Sequence, residues 1–304
     1  HHTQIYASQP RSYRDLPIRL SEVTTVYRDE NTGQLAGLSR VRSITQDDAH
    51  IFCTLNQVKQ EATNIVEIIE KFYYAFQMPL SIRFSVHDPN APEKYLGGTD
   101  VWEEAVATLR GLLEDLGKTY EIGVGEAAFY GPKIDFMAKD AIGRQWQLAT
   151  IQLDFNQPER FGLEYTDADG TKKRPVMIHR AISGSLERFI AVLIEHFAGA
   201  FPFWLAPVQV RLATVSDDFI DVARIWKRKL DEADVRADLD VSAEKVGKKV
   251  RNAAMQKIPW TIVIGAKEAE GGDFKVNVFG SEDDLVIVQN ELVARAIAEG
   301  KFPV

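Results

Sequence analysis

The chain is poor in cysteine, has no long apolar run, and carries fewer basic than acidic residues. A single cysteine, Cys53, in 304 residues excludes an intramolecular disulfide framework and fits a reducing compartment. No apolar stretch approaches the ~18 residues of a membrane span, and no basic-then-apolar leader opens the chain, so neither a membrane nor export is indicated and a cytoplasmic location is expected. A net charge of −8 and a pI near 5.4 exclude a generally basic surface, so a polyanion would have to meet local basic patches. No methionine precedes His1 and His2, and the chain reads as beginning inside a longer one. Apolar residues make up 45% and charged residues 26%, enough for one large domain and a smaller one.

What is present is an unusually polar pair of strands. The segments RLSEVTTVYR and LSRVRSITQ are rich in Val, Thr, Ile and Tyr, and Asn31-Thr32-Gly33 between them supplies turn chemistry, which predicts a long antiparallel hairpin. Arg28, Glu30, Arg40 and Arg42 occupy even positions, so alternation places each pair on one face. Guanidinium forks beside a carboxylate suit an anion-binding floor. A solvated face with surface ion pairs accounts for the same residues.

Beyond the hairpin, residues 54–77 have helical spacing with Val58, Ala62, Ile65, Ile68, Ile69 and Phe72 on one stripe. Residues 81–87 alternate as a strand, and residues 100–116 read as a second helix with Asp100 as N-cap. KIDFMAKD and RQWQLATIQLDF form strands joined at Gly143. Tyr130 and Lys133 flank a Gly131-Pro132 turn, while Gln147, Thr150, Gln152 and Asp154 interrupt what should be an apolar strand. Repeated polar faces suggest a ligand cradle on the sheet itself. PVMIHR is a short strand. The helix over 184–199 has the stripe Leu186, Phe189, Ile190, Leu193, Ile194 and Phe197. Arg188 occupies its first turn, where the macrodipole disfavours a cation but exposed N–H groups and Ser185 favour an anion. A bound phosphate and a plain surface arginine are both open readings.

A pattern change at residues 202–209 divides the chain into 1–204 and 205–304. The first part is an α+β domain with a mainly antiparallel sheet; the second alternates strand and helix, an α/β domain with a largely parallel sheet. AEKVGKKVRNAAM places Lys245, Lys248, Lys249 and Arg251 on a local basic face, either solvated or in contact with an RNA backbone. LVIVQNELVARAIAEG is expected to be the terminal helix.

VYRDE followed by GLSRVRSITQDDAHIFC resembles motif 2 of the class II aminoacyl-tRNA synthetases, and GSLERFIAVLIEHFAG resembles their motif 3. SYRDLPIRLSE, FYGPKIDF, QLDF, VMIHRAISGSLERF and FPFWLAPVQV narrow the resemblance to the threonyl-tRNA synthetase family, over essentially all of the chain. It implies a catalytic domain lacking its N-terminal part, an anticodon-binding domain, ATP-dependent activation of L-threonine as threonyl-adenylate, and transfer to tRNA(Thr) by a homodimer. By the resemblance, Arg28 bridges the threonine carboxylate and the α-phosphate of ATP, Glu30 accepts from the adenine amino group, Arg188 holds the γ-phosphate and Arg40 supports the nucleotide. Gln147, Thr150, Ser185 and Ile44 also contact ATP, whose phosphates carry Mg2+, and Lys133 adds positive charge. The family further implies a Zn2+ ion. His50 and His179 match two of its ligands, and the third, a cysteine of a Cys-Pro-x-His run, is expected upstream of His1, with His2 matching the histidine of that run. Gln46, Asp48, Tyr130 and Gln152 surround threonine. Serine is not strongly rejected by such a pocket, and editing is expected elsewhere.

Two departures stand out. Ile44 replaces the aromatic residue that commonly stacks on adenine. Glu270 matches an anticodon-reading glutamate, but the arginine expected near residues 279–281 is absent. The alternatives are a catalytically silent synthetase-like RNA-binding protein, or a class II synthetase for another amino acid such as proline or serine. The intact arginines, glutamate and histidines weigh against silence.

Overall fold

The computed structural model describes residues 1–140 and 142–303. It divides into two compact units, His1–Leu193 and Ile194–Pro303.

In the first unit the elements are α1 His2–Ala7, β1 Ile18–Tyr27, β2 Ser43–Cys53, α2 Val58–Ala75, β3 Leu80–Val86, α3 Thr99–Asp115, β4 Glu121–Val124, β5 Lys133–Lys139, β6 Gln145–Asp154, α4 Asn156–Arg160, β7 Tyr165–Thr166, β8 Lys172–Lys173, β9 Val176–Ala181 and α5 Leu186–His196. Seven of these strands form one sheet in the order β1-β2-β9-β6-β5-β3-β4. Every neighbouring pair is antiparallel except β3 and β4. Helices α2 and α3 pack on β6, and α2 also on β9. They cover the face formed by Ile51, Ile134, Phe136, Ile151, Leu153 and Ile178, all at most 5% exposed. The other face is left for the polar residues.

The predicted hairpin exists, with Ile18 opposite Phe52 through to Tyr27 opposite Ser43. Its connection is longer than a tight turn at residues 31–33: two short 3-10 turns, Thr32–Gln34 and Gly37–Ser39, carry the chain around, with Gly37 at φ +49°. Arg28, Glu30, Arg40 and Arg42 therefore lie beyond the paired strands, and strand alternation is not what groups them. Hydrogen bonds do: Arg40 binds Glu30, Arg42 Nε donates to the Glu30 carbonyl at 2.9 Å, and the Arg28 amide donates to the Arg42 carbonyl at 2.9 Å.

Three helix details differ from the periodicity reading. Ile68 is 52% exposed and Val66 is buried in its place; on α5, Ile190 and Ile194 are exposed while Val192 packs inward. In each case the buried arc is rotated slightly, because the sheet surface and not the apolar composition decides which side is covered. Gly98 precedes α3 as its N-cap, and Asp100 lies inside the first turn, where a carboxylate still complements the helix dipole.

The second unit contains β10 Val210–Thr214, α6 Ile220–Asp231, β11 Ala237–Asp240, α7 Val246–Met255, β12 Trp260–Ile264, α8 Ala266–Ala269, β13 Phe274–Val278, β14 Leu285–Ile287 and α9 Leu292–Glu299. Its sheet, ordered β11-β10-β12-β13-β14, is parallel across β11, β10 and β12 and antiparallel from β12 onward. Residues 285–287, expected as the start of the terminal helix, instead pair with β13 as a strand and extend the antiparallel half. Leu212, Trp226, Trp260, Ile262, Phe274 and Val276 build its core. Lys249, expected on an exposed basic face, is 1% exposed; its ammonium donates to the Thr214 carbonyl at 2.8 Å and the Asp240 carbonyl at 3.2 Å. The α7 spacing turns this one lysine toward the ends of β10 and β11.

Candidate active site

The register of the large sheet lines up one polar row across four strands. His50 of β2 pairs with His179 of β9, His179 with Gln152 of β6, and Gln152 with Lys133 of β5. Thr150 lies one pleat away, opposite Asp135 on one side and Ala181 on the other. Gln147 has the opposite parity to Thr150 and reaches the same face through a β-bulge: Ala149 pairs with Phe136 and Gln147 with Met137, leaving Leu148 as the extra residue. Gly184 follows β9 at φ +66°, and a Cβ there would stand 2.6 Å from the Leu148 carbonyl. Gly131 is more than a turn residue, because a Cβ on it would meet the Leu153 carbonyl at 1.9 Å. Only glycine lets these loops close on β6.

One cavity opens on this face. From the hairpin connection and β2 it is lined by Arg28, Glu30, Arg40, Ile44 and Gln46. From β6 come Gln147, Thr150 and Gln152, and from the start of α5 come Ser185 and Arg188. All eight residues expected to contact ATP thus share one wall system with two of those expected around threonine. Ile44 is 6% exposed and supplies apolar surface at the aromatic position.

Arg188 is held in place from three sides. Its Nε donates to the Ser39 carbonyl at 2.9 Å, its Nη1 to the Gln147 carbonyl at 3.4 Å, and its guanidinium lies 5.8 Å from the centre of the Trp146 ring. Burial and the neighbouring Arg28 and Arg40 lower its pKa, with Glu30 opposing. Three guanidiniums around one carboxylate leave the cavity with an excess of positive charge, which suits an anionic ligand.

The row's far end is a cluster of aromatic and acidic groups. The His50 and His179 ring centres are 4.6 Å apart, and those of Tyr130 and His179 4.9 Å. The Tyr130 hydroxyl donates to Gln152 Oε1. Burial, reinforced by His179 and His2, pushes His50 down to about 3, so it is a neutral imidazole. His2 Nδ1 and His50 Nδ1 are 2.7 Å apart, one donating and the other accepting. Asp48 is raised by burial, with His179 and His2 pulling the other way. Among the described residues no three His, Cys, Asp or Glu side chains are grouped as a metal site.

Four acidic residues for which the sequence supplied no partner hold this site together. The buried Asp154 Oδ2 lies 2.8 Å from His179 Nε2. Asp47 accepts from Arg180 Nη1 at 2.7 Å and from the Ile182 and Ser183 amides at 2.8 and 3.0 Å, fixing the turn after β9 from behind the sheet. Glu187 accepts from the Thr45 amide and the Ser185 hydroxyl, both at 2.9 Å. Asp135 gathers Gln147, Thr150 and Lys133. For Asp135 and Asp154 the available signal was a carboxylate set inside a largely apolar strand. Glu270 belongs to the second unit, where it is exposed at the end of α8, and residues 279–281 form a turn with Gly280 at φ +80°.

Residues 1–197 match the family described as tRNA synthetase class II core domain (G, H, P, S and T), and residues 209–299 match the anticodon binding domain. The first unit is therefore a class II synthetase core. The threonine–tRNA ligase of Parabacteroides distasonis is 51% identical over 284 residues, 93% of this chain and 44% of that protein; the one from Gloeobacter violaceus is 48% identical over 297 residues, 96% of this chain and 47% of that protein. A crystal structure of the RNA binding domain of threonyl-tRNA synthetase from Cryptosporidium parvum Iowa II superposes with a TM-score of 0.93 at 35% identity, covering 100% of this chain and 75% of that one. The chain belongs to the threonyl-tRNA synthetase family, and it spans about half the length of the curated relatives it matches.

Proposed function

We propose that the chain carries the adenylate-forming site of an enzyme that activates L-threonine with ATP and Mg2+ and transfers it to tRNA(Thr). The observation that carries this reading is the continuity of the guanidinium cavity with the His50, His179, Tyr130 and Gln152 cluster on one sheet face. ATP phosphates belong among Arg28, Arg40 and Arg188, and threonine belongs at the far end of the row, beside Gln46, Asp48, Tyr130 and Gln152. The threonine carboxylate oxygen forms a bond to the α-phosphorus as the bond to the pyrophosphate oxygen breaks, and pyrophosphate leaves. Charge builds on phosphate oxygens, so fixed cations do the stabilising and no general base is required. Arg28 bridges carboxylate and α-phosphate, Arg188 holds the γ-phosphate, and Glu30 accepts from the adenine amino group. Lys133, 2.9 Å from Asp135, adds a fixed positive charge beside the adenylate.

Zinc fits the histidines present. The hydrogen bond between His179 Nε2 and Asp154 leaves Nδ1 for a metal, the usual carboxylate support of a ligating imidazole. His50 is neutral and opposite it. These two residues would hold the ion with a cysteine N-terminal to residue 1, and the ion would bind the amino and hydroxyl groups of threonine and so reject valine. A homodimer, a cytoplasmic location and anticodon contact through Glu270 belong to the same reading. Among the described residues no helix is long and apolar enough to cross a membrane.

ATP–pyrophosphate exchange with threonine, on a zinc-loaded chain extended N-terminally through that cysteine, tests the proposal. Exchange with threonine and not valine supports it. No exchange together with retained tRNA binding would favour a silent RNA-binding protein instead.

A further inference from the structure

Asp135 is 3% exposed, and four side chains converge on its two oxygens. Oδ1 accepts from Gln147 Nε2 at 2.7 Å and from Thr150 Oγ1 at 2.9 Å. Oδ2 accepts from Ser85 Oγ at 2.7 Å and lies 2.9 Å from the Lys133 ammonium. A carboxylate beside an ammonium offers acceptors only. Gln147 must therefore turn its amide nitrogen to Asp135 and spend one of its two N–H donors there, which fixes the flip of the amide and leaves Oε1 free to accept. Thr150 commits its one hydroxyl proton to the same carboxylate and retains only lone pairs. Both residues line the cavity, so this wall accepts hydrogen bonds, whereas Arg28, Arg40 and Arg188 in the same cavity only donate them. The complementary ligand presents hydroxyl donors at one end and anionic oxygens at the other, as the ribose and phosphates of a ribonucleotide do.

We infer that Asp135 is a positioning residue that sets sugar specificity: by orienting Gln147 and Thr150 as acceptors, it makes the cavity prefer a ribonucleoside triphosphate to its deoxy counterpart. The inference rests on the nucleotide-binding reading above. Asp135 itself touches no ligand. Asn at this position brings an N–H2 group that competes with the donors it now receives, and Gln147 is released to turn its own nitrogen inward.

Calorimetric titration of the 304-residue chain with Mg2+ and ATP, 2′-deoxy-ATP, 3′-deoxy-ATP or inorganic pyrophosphate is the test. The wild type is expected to favour ATP over at least one deoxy analogue by about tenfold, the scale of one hydrogen bond. In Asp135→Asn that ratio is expected to fall to about twofold or less, while pyrophosphate affinity stays within about threefold, a split that a general loss of structure would not produce. A folded Asp135→Asn chain with the wild-type ratio overturns the inference. Should that variant fail to fold, Thr150→Ser and Thr150→Val carry the same test: Ser retains the ratio and Val loses it, and a Val variant with the wild-type ratio overturns the inference. A wild-type chain that binds neither ATP nor pyrophosphate overturns the nucleotide reading itself. Tight ATP binding without discrimination overturns only the part assigned to Asp135.

Discussion

Arg40 reaches across the hairpin connection to Glu30, with Nε 3.0 Å and Nη2 2.8 Å from the same carboxylate oxygen. Arg40 is 44% exposed, so the pair contributes only about 0–1 kcal/mol to folding. Its value lies in holding Glu30 beside the cavity. Arg40→Ala is expected to leave the melting temperature within about 3 °C of wild type. ATP affinity in the same variant should drop about tenfold, the loss of one charge-assisted contact. Thermal melts and calorimetric titration read the two effects separately.

Arg188→Lys keeps the charge but loses the planar fork that binds the Ser39 carbonyl and faces Trp146. Exchange activity is expected to fall by about 100-fold or more, the scale of removing one fixed donor from a developing anion. Arg28→Ala should abolish adenylate formation. Near wild-type exchange in either variant would remove that arginine from the phosphate site.

His179→Ala, made in the chain extended through the upstream cysteine, should lose zinc by elemental analysis and lose the preference for threonine over valine. Full zinc content with unchanged selectivity would show that the ligand assignment is wrong. Asp154→Asn, which weakens the support of the ring, is expected to lower metal affinity by about 10- to 100-fold.

Asp140 is one acid-sensitive element of the first unit. Burial works against its ionised form, but hydrogen bonds from the Trp146 indole, the Arg144 guanidinium and the Arg144 and Ile142 amides prevail, and the carboxyl is held at about 2. A carboxyl depressed in the folded state adds stability above its unfolded pKa of about 3.9 and loses it as pH falls through the folded value. Asp140→Asn should therefore be less stable than wild type at about pH 5, with the difference disappearing as pH approaches about 2. Urea titrations followed by tryptophan fluorescence across that range decide it.

In the second unit, Lys249→Met replaces a buried ammonium by an apolar chain of similar length. The Thr214 and Asp240 carbonyls lose their donor, and a destabilisation of about 2–3 kcal/mol is expected from chemical unfolding. A neutral outcome would mean that water or a main-chain shift satisfies both carbonyls.

Residue types and their order marked most of the elements and the polar, cationic character of the cavity lining. Val, Thr and Ile alternation marks β1 and β2, three-and-four spacing marks α2 and α3, and an arginine in the first turn of α5 beside Ser185 points to an anion. The family motifs then name the partners of those groups. Local pattern could not say which residues meet, because that depends on strand register and on packing against helices distant in the chain. His50 and His179 become neighbours only because β9 inserts between β2 and β6. Gln147 joins Thr150 only because one bulge at Leu148 reverses the parity of β6. Asp135, Asp47, Asp154 and Glu187 could be given no partner from local pattern, since an acidic residue declares its role only when its donors are in place. Lys249 was misread for the same reason: helical spacing gives a lysine an angle, and the ends of β10 and β11 decide whether that angle leads to water or to two carbonyl oxygens.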